Sequence, residues 1–387
     1  MARRIPLGEL CISKVATLPN GFDDIIDYID ISSVDNESKA IVAHQEIEGT
    51  EAPSRARQLL EVGDVLVSTV RPNLNAVAFV ETAYKYTLVG STGYCVLRTK
   101  EGVDNRFVFY FCQSPYFIED MTAQATGASY PAVTASIVRK ATVPDYSLEK
   151  QKEIAQCLDS ITTLLSLRKQ QLAKLDELVK ARFIELFGDP DENPMNWETA
   201  ELDQHLDIVG GFAFKSDGFT ATGIPVLRIG NINSGHFLPV NMVFWPDDPT
   251  LDRYKMYPGD LVMSLTGTVG KDDYGNVCIL SDEYSEYYLN QRNAKLAINA
   301  TLNKHYLSEM LKFSKIKKRL TGISRGVRQA NISNRDILAL CVPIPPIELQ
   351  EQFAAFVEQT DKSKFAVQQS IEKMETLKKS LMQQYFG

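Results

Sequence analysis

Two stretches decide the fold: Val143-Pro-Asp-Tyr-Ser-Leu-Glu-Lys-Gln151 and Val342-Pro-Ile-Pro-Pro-Ile-Glu-Leu-Gln350. Shifting the chain by 199 residues lays 143–188 on 342–387 without a gap, and 11 of the 46 aligned pairs are identical. Chance would give roughly three at ordinary residue frequencies. Both copies end in Phe-Gly, at Phe187–Gly188 and Phe386–Gly387. Between the Glu-x-Gln and that ending neither copy holds a proline or a glycine. In the first copy Leu148, Ile154, Leu158, Ile161, Leu165, Leu172, Leu175, Val179, Phe183 and Leu186 recur at helical spacings. The pattern predicts two related helices, over 149–188 and 348–387, with Gly188 and Pro190 as a stop signal. About 35 helical residues span about 50 Å, longer than a small domain is wide. A lone amphipathic helix of that length cannot bury its stripe, so two copies invite packing as an antiparallel coiled coil. Leu172, Leu175, Val179, Ile371, Met374 and Leu381 are the expected packing residues, in a stripe interrupted by Lys364 and Lys378.

Upstream of each helix the echo is fainter but ordered. Gly63-Asp-Val-Leu-Val-Ser68 matches Gly259-Asp-Leu-Val-Met-Ser264, each a turn entering an apolar strand. Ala125-Thr-Gly-Ala-Ser129 similarly matches Leu320-Thr-Gly-Ile-Ser324. The chain therefore reads as an internal repeat of mixed α/β domains at 1–148 and 189–347, each followed by a helix. Expected strands are Asp64–Thr69, Asn75–Val80, Tyr94–Leu97, Pro225–Ile229, Leu261–Leu265, Val277–Leu280 and Ala294–Ile298. Helical stretches are expected at Arg106–Ala123 and Asn303–Leu320. The run Phe107–Phe111 reads as core, and Asp189-Pro-Asp-Glu-Asn-Pro194 as a linker.

Composition narrows the chemistry. The 387 residues are 44% hydrophobic and 23% charged, as in a globular protein. No apolar run approaches the roughly 18 residues that span a bilayer, and the N-terminus lacks a signal-like h-region. Six scattered cysteines without CxxC read as reduced, mostly buried thiols of a cytoplasmic protein. The four scattered histidines make a metal centre unexpected. Gly267-Thr-Val-Gly-Lys271 lacks P-loop spacing, and Asn193-Pro-Met-Asn196 is not the Asn/Asp-Pro-Pro-aromatic motif of an amino-methyltransferase. Pro144-Asp145…Glu149-Lys150-Gln151 puts Gln where a metal-dependent nuclease needs Lys, and the second copy has Ile344 in place of Asp145. No catalytic residues are expected.

A net charge of −8 argues mildly against a polyanionic partner, but Met310 to Arg335 contains no acid. Lys315, Lys317, Lys318 and Arg319 are candidate phosphate contacts, against the alternative of a solvated helix face. Arg325, Arg328 and Gln329 sit on a glycine-containing loop and suit base edges in a major groove. The matching first-domain loop offers Thr126, Ser129 and Tyr130, with Arg139 and Lys140 beyond it. Arg71 and Lys271 follow the Gly-Asp strands and are second candidates.

The doubled arrangement of Gly-Asp strands and Val-Pro-x-x-x-(Leu/Ile)-Glu-x-Gln helix entries resembles the specificity subunit of a type I restriction-modification system. Trp197-Glu-Thr-Ala-Glu-Leu202, followed by Gly210-Gly211, is similar to the usual opening of that family's second target-recognition domain. The first domain departs from the pattern, opening with Arg4-Ile-Pro-Leu-Gly8 and no Trp. The resemblance implies a non-catalytic reader of a split, asymmetric double-stranded DNA target, with two target-recognition domains and a helical ruler. It implies no cofactor in this chain. S-adenosylmethionine would serve modification subunits, and ATP and Mg restriction subunits; no membrane partner is implied. The rival readings are a stand-alone DNA methyltransferase or nuclease with an unrecognised site, and a coiled-coil scaffold.

Overall fold

A computed structural model describes residues 3–232, 235–268, 273–322 and 329–387. The chain divides into two compact units, Met1–Gln170 with Gln368–Gly387, and Gln171–Val367.

In the first unit, Gln45–Glu48, Ile25–Ile29, Thr87–Ser91 and Ala56–Leu59 lie side by side in that order as one sheet. Ile25–Ile29 runs parallel to Thr87–Ser91, and the other pairs are antiparallel. A second, antiparallel sheet places the Gly-Asp strand, Val65–Ser68, between Tyr94–Leu97 and Val77–Phe79. The second unit repeats the plan. Ile224–Leu227 pairs parallel with Tyr287–Leu289, in a sheet completed by Val243–Trp245 and Lys255–Met256. The Gly-Asp strand, Leu261–Ser264, again lies centrally, between Asn293–Ile298 and Val277–Ile279.

The Gly-Asp dipeptide has a physical reason. Gly63 and Gly259 take φ of +95° and +87°, and a Cβ there would lie 2.7 Å from Asn105 Nδ2 and 3.0 Å from Lys304 Nζ. Asp64 and Asp260 each accept a backbone N–H three residues upstream, from Glu61 and Tyr257. Each also binds a cation from a neighbouring segment: Arg98, 2.8 Å from Asp64, and Lys295, 2.7 Å from Asp260.

The expected helix over Arg106–Ala123 is two helices, Asn105–Phe111 and Pro115–Ala123. Ser114 caps the second by accepting Phe117 N–H, and Pro115 takes the first helical position, where its missing N–H costs nothing. The stretch Asn303–Leu320 likewise divides into Lys304–Leu311 and Ser314–Thr321. Phe107 to Phe111 are all core. Cys11, Cys95, Cys112 and Cys278 are buried free thiols, and burial lifts Cys11 to about 12 and Cys95 to about 11.

The long helices are Leu148–Phe187 and Ile347–Phe386, each of 40 residues and beginning one residue earlier than the sequence pattern suggested. Each contributes to both units. The first unit's core takes Ile154 and Leu158 from the start of the first helix, and Met382 and Phe386 from the end of the second. The second unit's core takes Val179, Phe183 and Phe187 from the end of the first, with Phe353 and Val357 from the start of the second. Of the expected packing residues Val179 and Ile371 are buried, while Leu172, Leu175, Met374 and Leu381 are half-buried. The interrupting lysines are accommodated by partners. Lys364 reaches Asp176 at 2.7 Å, and Lys378 lies 5.9 Å from the centre of the Tyr110 ring. Among the described residues no helix is long and apolar enough to cross a membrane.

Candidate nucleic-acid interface

The loop after each Gly-Asp strand meets the segment that leads back towards the long helix. In the first unit Val70 pairs with Ala132, Arg71 N–H donates to Pro131 O at 2.7 Å, and Val133 N–H donates to Thr69 O at 2.9 Å. Arg71 and Asn75 hold left-handed φ of 49° and 48° on either side of the turn Pro72–Leu74. Buried Asn75 anchors that turn by donating Nδ2 to Cys112 O at 2.8 Å. Gly127, at φ +102°, closes the other loop so tightly that a Cβ would lie 2.9 Å from Tyr130 O. The result sets the Arg71 guanidinium 4.9 Å from the centre of the Tyr130 ring, which is 69% exposed. A cation beside an exposed aromatic face offers a phosphate contact and a stacking surface together.

The second unit has the same junction. Thr266 pairs with Asn331, Gly267 with Ala330 and Thr268 with Gln329. Ile332 N–H donates to Leu265 O at 2.9 Å, the counterpart of Val133 and Thr69. Thr268 is fixed through its N–H and hydroxyl by Asp273, at 2.8 and 2.9 Å. Gly267 fits the close approach of the next segment, because a Cβ there would lie 2.8 Å from Tyr274 Cβ as well as 2.3 Å from Asp273 Oδ1.

The sequence-based candidates fare unequally. Arg71 and Tyr130 come together, with Ser129 and Lys140 exposed nearby in the chain. Arg139 is half-buried, packed with its Cβ against Gly8 and its charge beside Cys95 and Cys11, so it faces the core of its own unit. In the basic run, Lys317 is only 9% exposed and donates to Asn276 Oδ1 at 2.6 Å, which corrects its placement as an open phosphate contact. Its apolar stem lies on the buried face of the helix Ser314–Thr321. Lys315 pairs with Glu192 at 3.1 Å, and that contact raises its pKa. Arg319 donates to Cys341 O at 2.8 Å. Lys318 is exposed. Arg325, Arg328 and Lys271 lie outside the described residues, as does the Gln329 side chain.

Two positioning devices escaped the sequence reading. The Glu-x-Gln glutamines are buried rather than functional on the surface. Gln151 Oε1 accepts Asp104 N–H at 3.0 Å and its Nε2 donates to Tyr146 O at 2.9 Å. Gln350 makes the same pair with Asn303 N–H and Pro345 O, both at 2.8 Å. Asp104 and Asn303 cap the helices that follow them, so each glutamine ties a long helix to its domain. The missing opening Trp is also answered. Trp197 Nε1 donates to Phe187 O at 3.0 Å in the second unit. In the first unit the Arg4 guanidinium donates to Phe386 O at 3.1 Å, capping the other helix end with a different side chain.

A doubled α/β domain, each copy with its loop junction and its share of two long helices, defines the class. The family model described as "Type I restriction modification DNA specificity domain" matches residues 8–177 and 194–376, and the chain belongs to that family. It is 26% identical over 298 residues to the type I restriction enzyme MjaVIII specificity subunit of Methanocaldococcus jannaschii, covering 72% of this chain and 69% of that one. It is 23% identical over 296 residues to the EcoKI specificity subunit of Escherichia coli K12, covering 72% of this chain and 62% of that one. The fold is similar to that of the type I restriction-modification S subunit from M. genitalium, with TM-score 0.60 and 14% identity over 100% of this chain and 96% of that one. A chain from a solved type I R-M system gives TM-score 0.59 at 24% identity, covering 99% and 97%.

Proposed function

We propose that this chain is the DNA-reading, non-catalytic specificity subunit of a type I restriction-modification assembly, each unit contacting one half of a split, asymmetric target. The observation that carries the reading is the loop junction built twice from different side chains. Tyr130 in the first unit stands 199 residues from Gln329 in the second, and Arg71 corresponds to Gly267 through the matched pairs Val70–Ala132 and Thr266–Asn331. One scaffold with two unlike surfaces suits two unlike half-sites.

The long helices are the ruler in this reading, packed as an antiparallel coiled coil. Contacts within each unit support opposite directions. Lys169 meets Glu375 at 3.9 Å and Lys150 meets Tyr385 in the first, and Asp176 meets Lys364 while Phe183 meets Phe353 in the second. Leu164, Leu167, Leu178, Phe365 and Leu377 remain 48–66% exposed on these helices. That apolar surface suits the modification subunits, which would use S-adenosylmethionine to methylate adenines. Restriction subunits, driven by ATP with Mg, would cleave unmodified DNA.

The test is methylome sequencing of a host with and without the gene, repeated with four residues inserted after Leu165. Four helical residues add about 6 Å, so the gap between half-sites should grow by one or two base pairs at about 3.4 Å each while both half-site sequences persist. Changed bases at a constant gap would refute the ruler. Turnover by the purified chain with S-adenosylmethionine or Mg and DNA would favour the enzyme readings. A complex with modification subunits that shows no salt-dependent mobility shift would favour a scaffold.

A further inference from the structure

We propose that Asp27, His44 and Glu46 form a divalent transition-metal site on the first unit, with zinc the natural occupant. Asp27 and Glu46 are direct cross-strand partners, so their side chains leave the sheet on one face. His44, just before the strand Gln45–Glu48, brings its Nε2 to 3.4 Å from Asp27 Oδ1. The donor atoms of the three residues all lie within 4.8 Å of one another. Ligands around a tetrahedral ion, with bonds of about 2.0–2.1 Å, sit about 3.4 Å apart. Rotation of the exposed His44 and Glu46 side chains supplies that closure, while the deeper Asp27 stays fixed.

Asp27 provides the second, independent reason. It is 0% exposed, and its Oδ2 accepts Tyr86 N–H at 2.7 Å. Its Oδ1 is buried and accepts no hydrogen bond, facing His44 Nε2 at 3.4 Å. A buried carboxylate oxygen in that state is costly, and a second carboxylate directly across the strand pair adds repulsion. Lys85 interacts with both acids through space while its Nζ lies 4.4 Å from the centre of the Tyr86 ring. An ion bound by Asp27, His44 and Glu46 satisfies the orphaned oxygen and neutralises both acids. The Tyr84 ring stands nearly perpendicular to the imidazole, at 85° with the two ring centres 5.2 Å apart, and helps to orient it. One imidazole nitrogen with two carboxylate oxygens suits zinc and leaves a fourth position to water. The site lies on the Ile25–Ile29 sheet, apart from the Gly-Asp sheet whose loop carries Arg71.

Calorimetric titration of the full chain with zinc chloride, after treatment with EDTA, tests the proposal. Cys341→Ser serves as background because Cys341 is an exposed thiol that could bind zinc by itself. The expected result is one equivalent bound by the Cys341→Ser chain, lost in Cys341→Ser/His44→Ala, and weakened at least tenfold in Cys341→Ser/Glu46→Gln. Zinc should also raise the melting temperature of the background chain and leave that of the His44→Ala chain unmoved. Absence of one-equivalent binding, or undiminished binding in either double variant, overturns the site. Both substituted residues are exposed, so the melting temperature without zinc should change little and reports on folding.

Discussion

Replacing Gln350 by leucine keeps the volume of the side chain while removing both of its hydrogen bonds. Gln350 is fully buried, and the substitution leaves the half-buried Asn303 N–H and the buried Pro345 O without their partner. An unsatisfied buried polar group costs about 1–3 kcal/mol, so the pair predicts a loss of about 2–6 kcal/mol, partly offset by leucine's apolar surface. Both tryptophans, Trp197 and Trp245, lie within 171–367, so their fluorescence in urea follows the unit that Gln350 belongs to. With a slope of about 2 kcal/mol/M, a loss of about 3 kcal/mol lowers the midpoint by about 1.5 M. Gln350→Glu separates bonding from packing. Its buried carboxyl would have a folded-state pKa above the unfolded value, because burial disfavours the charge and the protonated form can still donate to Pro345 O. The folded state then holds the extra proton, and stability falls as pH rises through that value. A midpoint shift worth less than about 1 kcal/mol in Gln350→Leu, or a pH-independent Gln350→Glu, would refute this account of the Glu-x-Gln motif.

At the first unit's junction, Tyr130→Ala should weaken binding of the assembled complex and relax preference in one half-site alone; equal loss at both half-sites would contradict the assignment. Arg71→Ala should lower the salt slope of binding by about one unit. In the basic run, Lys318→Glu should weaken binding to all sequences with little change in stability, measured by mobility shift and urea melts. Lys317→Glu should instead destabilise the fold, since it breaks the bond to Asn276 and places a carboxylate on a buried face. His305 is 8% exposed, and burial, aided by Lys304, holds its pKa below the ordinary value. Below about pH 6.5 the unfolded chain takes up a proton that the folded one refuses, so stability is lost as pH falls. His305→Gln should flatten that loss in urea midpoints measured between pH 7.5 and 5; an unchanged profile would show that other groups dominate.

The parts legible in sequence were those that periodicity and repetition can carry. A stripe spaced by three, four and seven residues announces a helix whatever it packs against, and the shift of 199 residues exposed the doubled plan. The sheet through Ile25–Ile29 was missed because Asp27, wholly buried, breaks the apolar run by which such a strand is recognised. The histidine and acids beside it were missed for a related reason, since cross-strand register, not chain spacing, brings Asp27 to Glu46. The basic run misled by being local. Its Lys315 answers Glu192, which lies 123 residues away in the chain. Arg4 could have been found as the answer to the absent Trp only by knowing that both residues hold the last carbonyls of a helix.

That each long helix starts in one unit and ends in the other bears on how such genes can recombine. A segment exchanged at the linker after Gly188 would bring a foreign first domain together with its own Phe187, yet leave its core to be completed by the resident Met382 and Phe386. The incoming Phe107 and Phe111 positions would have to accept a ring supplied from the far end of the chain. Crossovers placed within both helices, near Gln170 and Val367, divide the chain along the unit boundaries instead. Exchange in which 1–170 and 368–387 travel together therefore keeps each core with the residues that complete it, and the helix middles are the seams along which new specificities can be assembled without repacking.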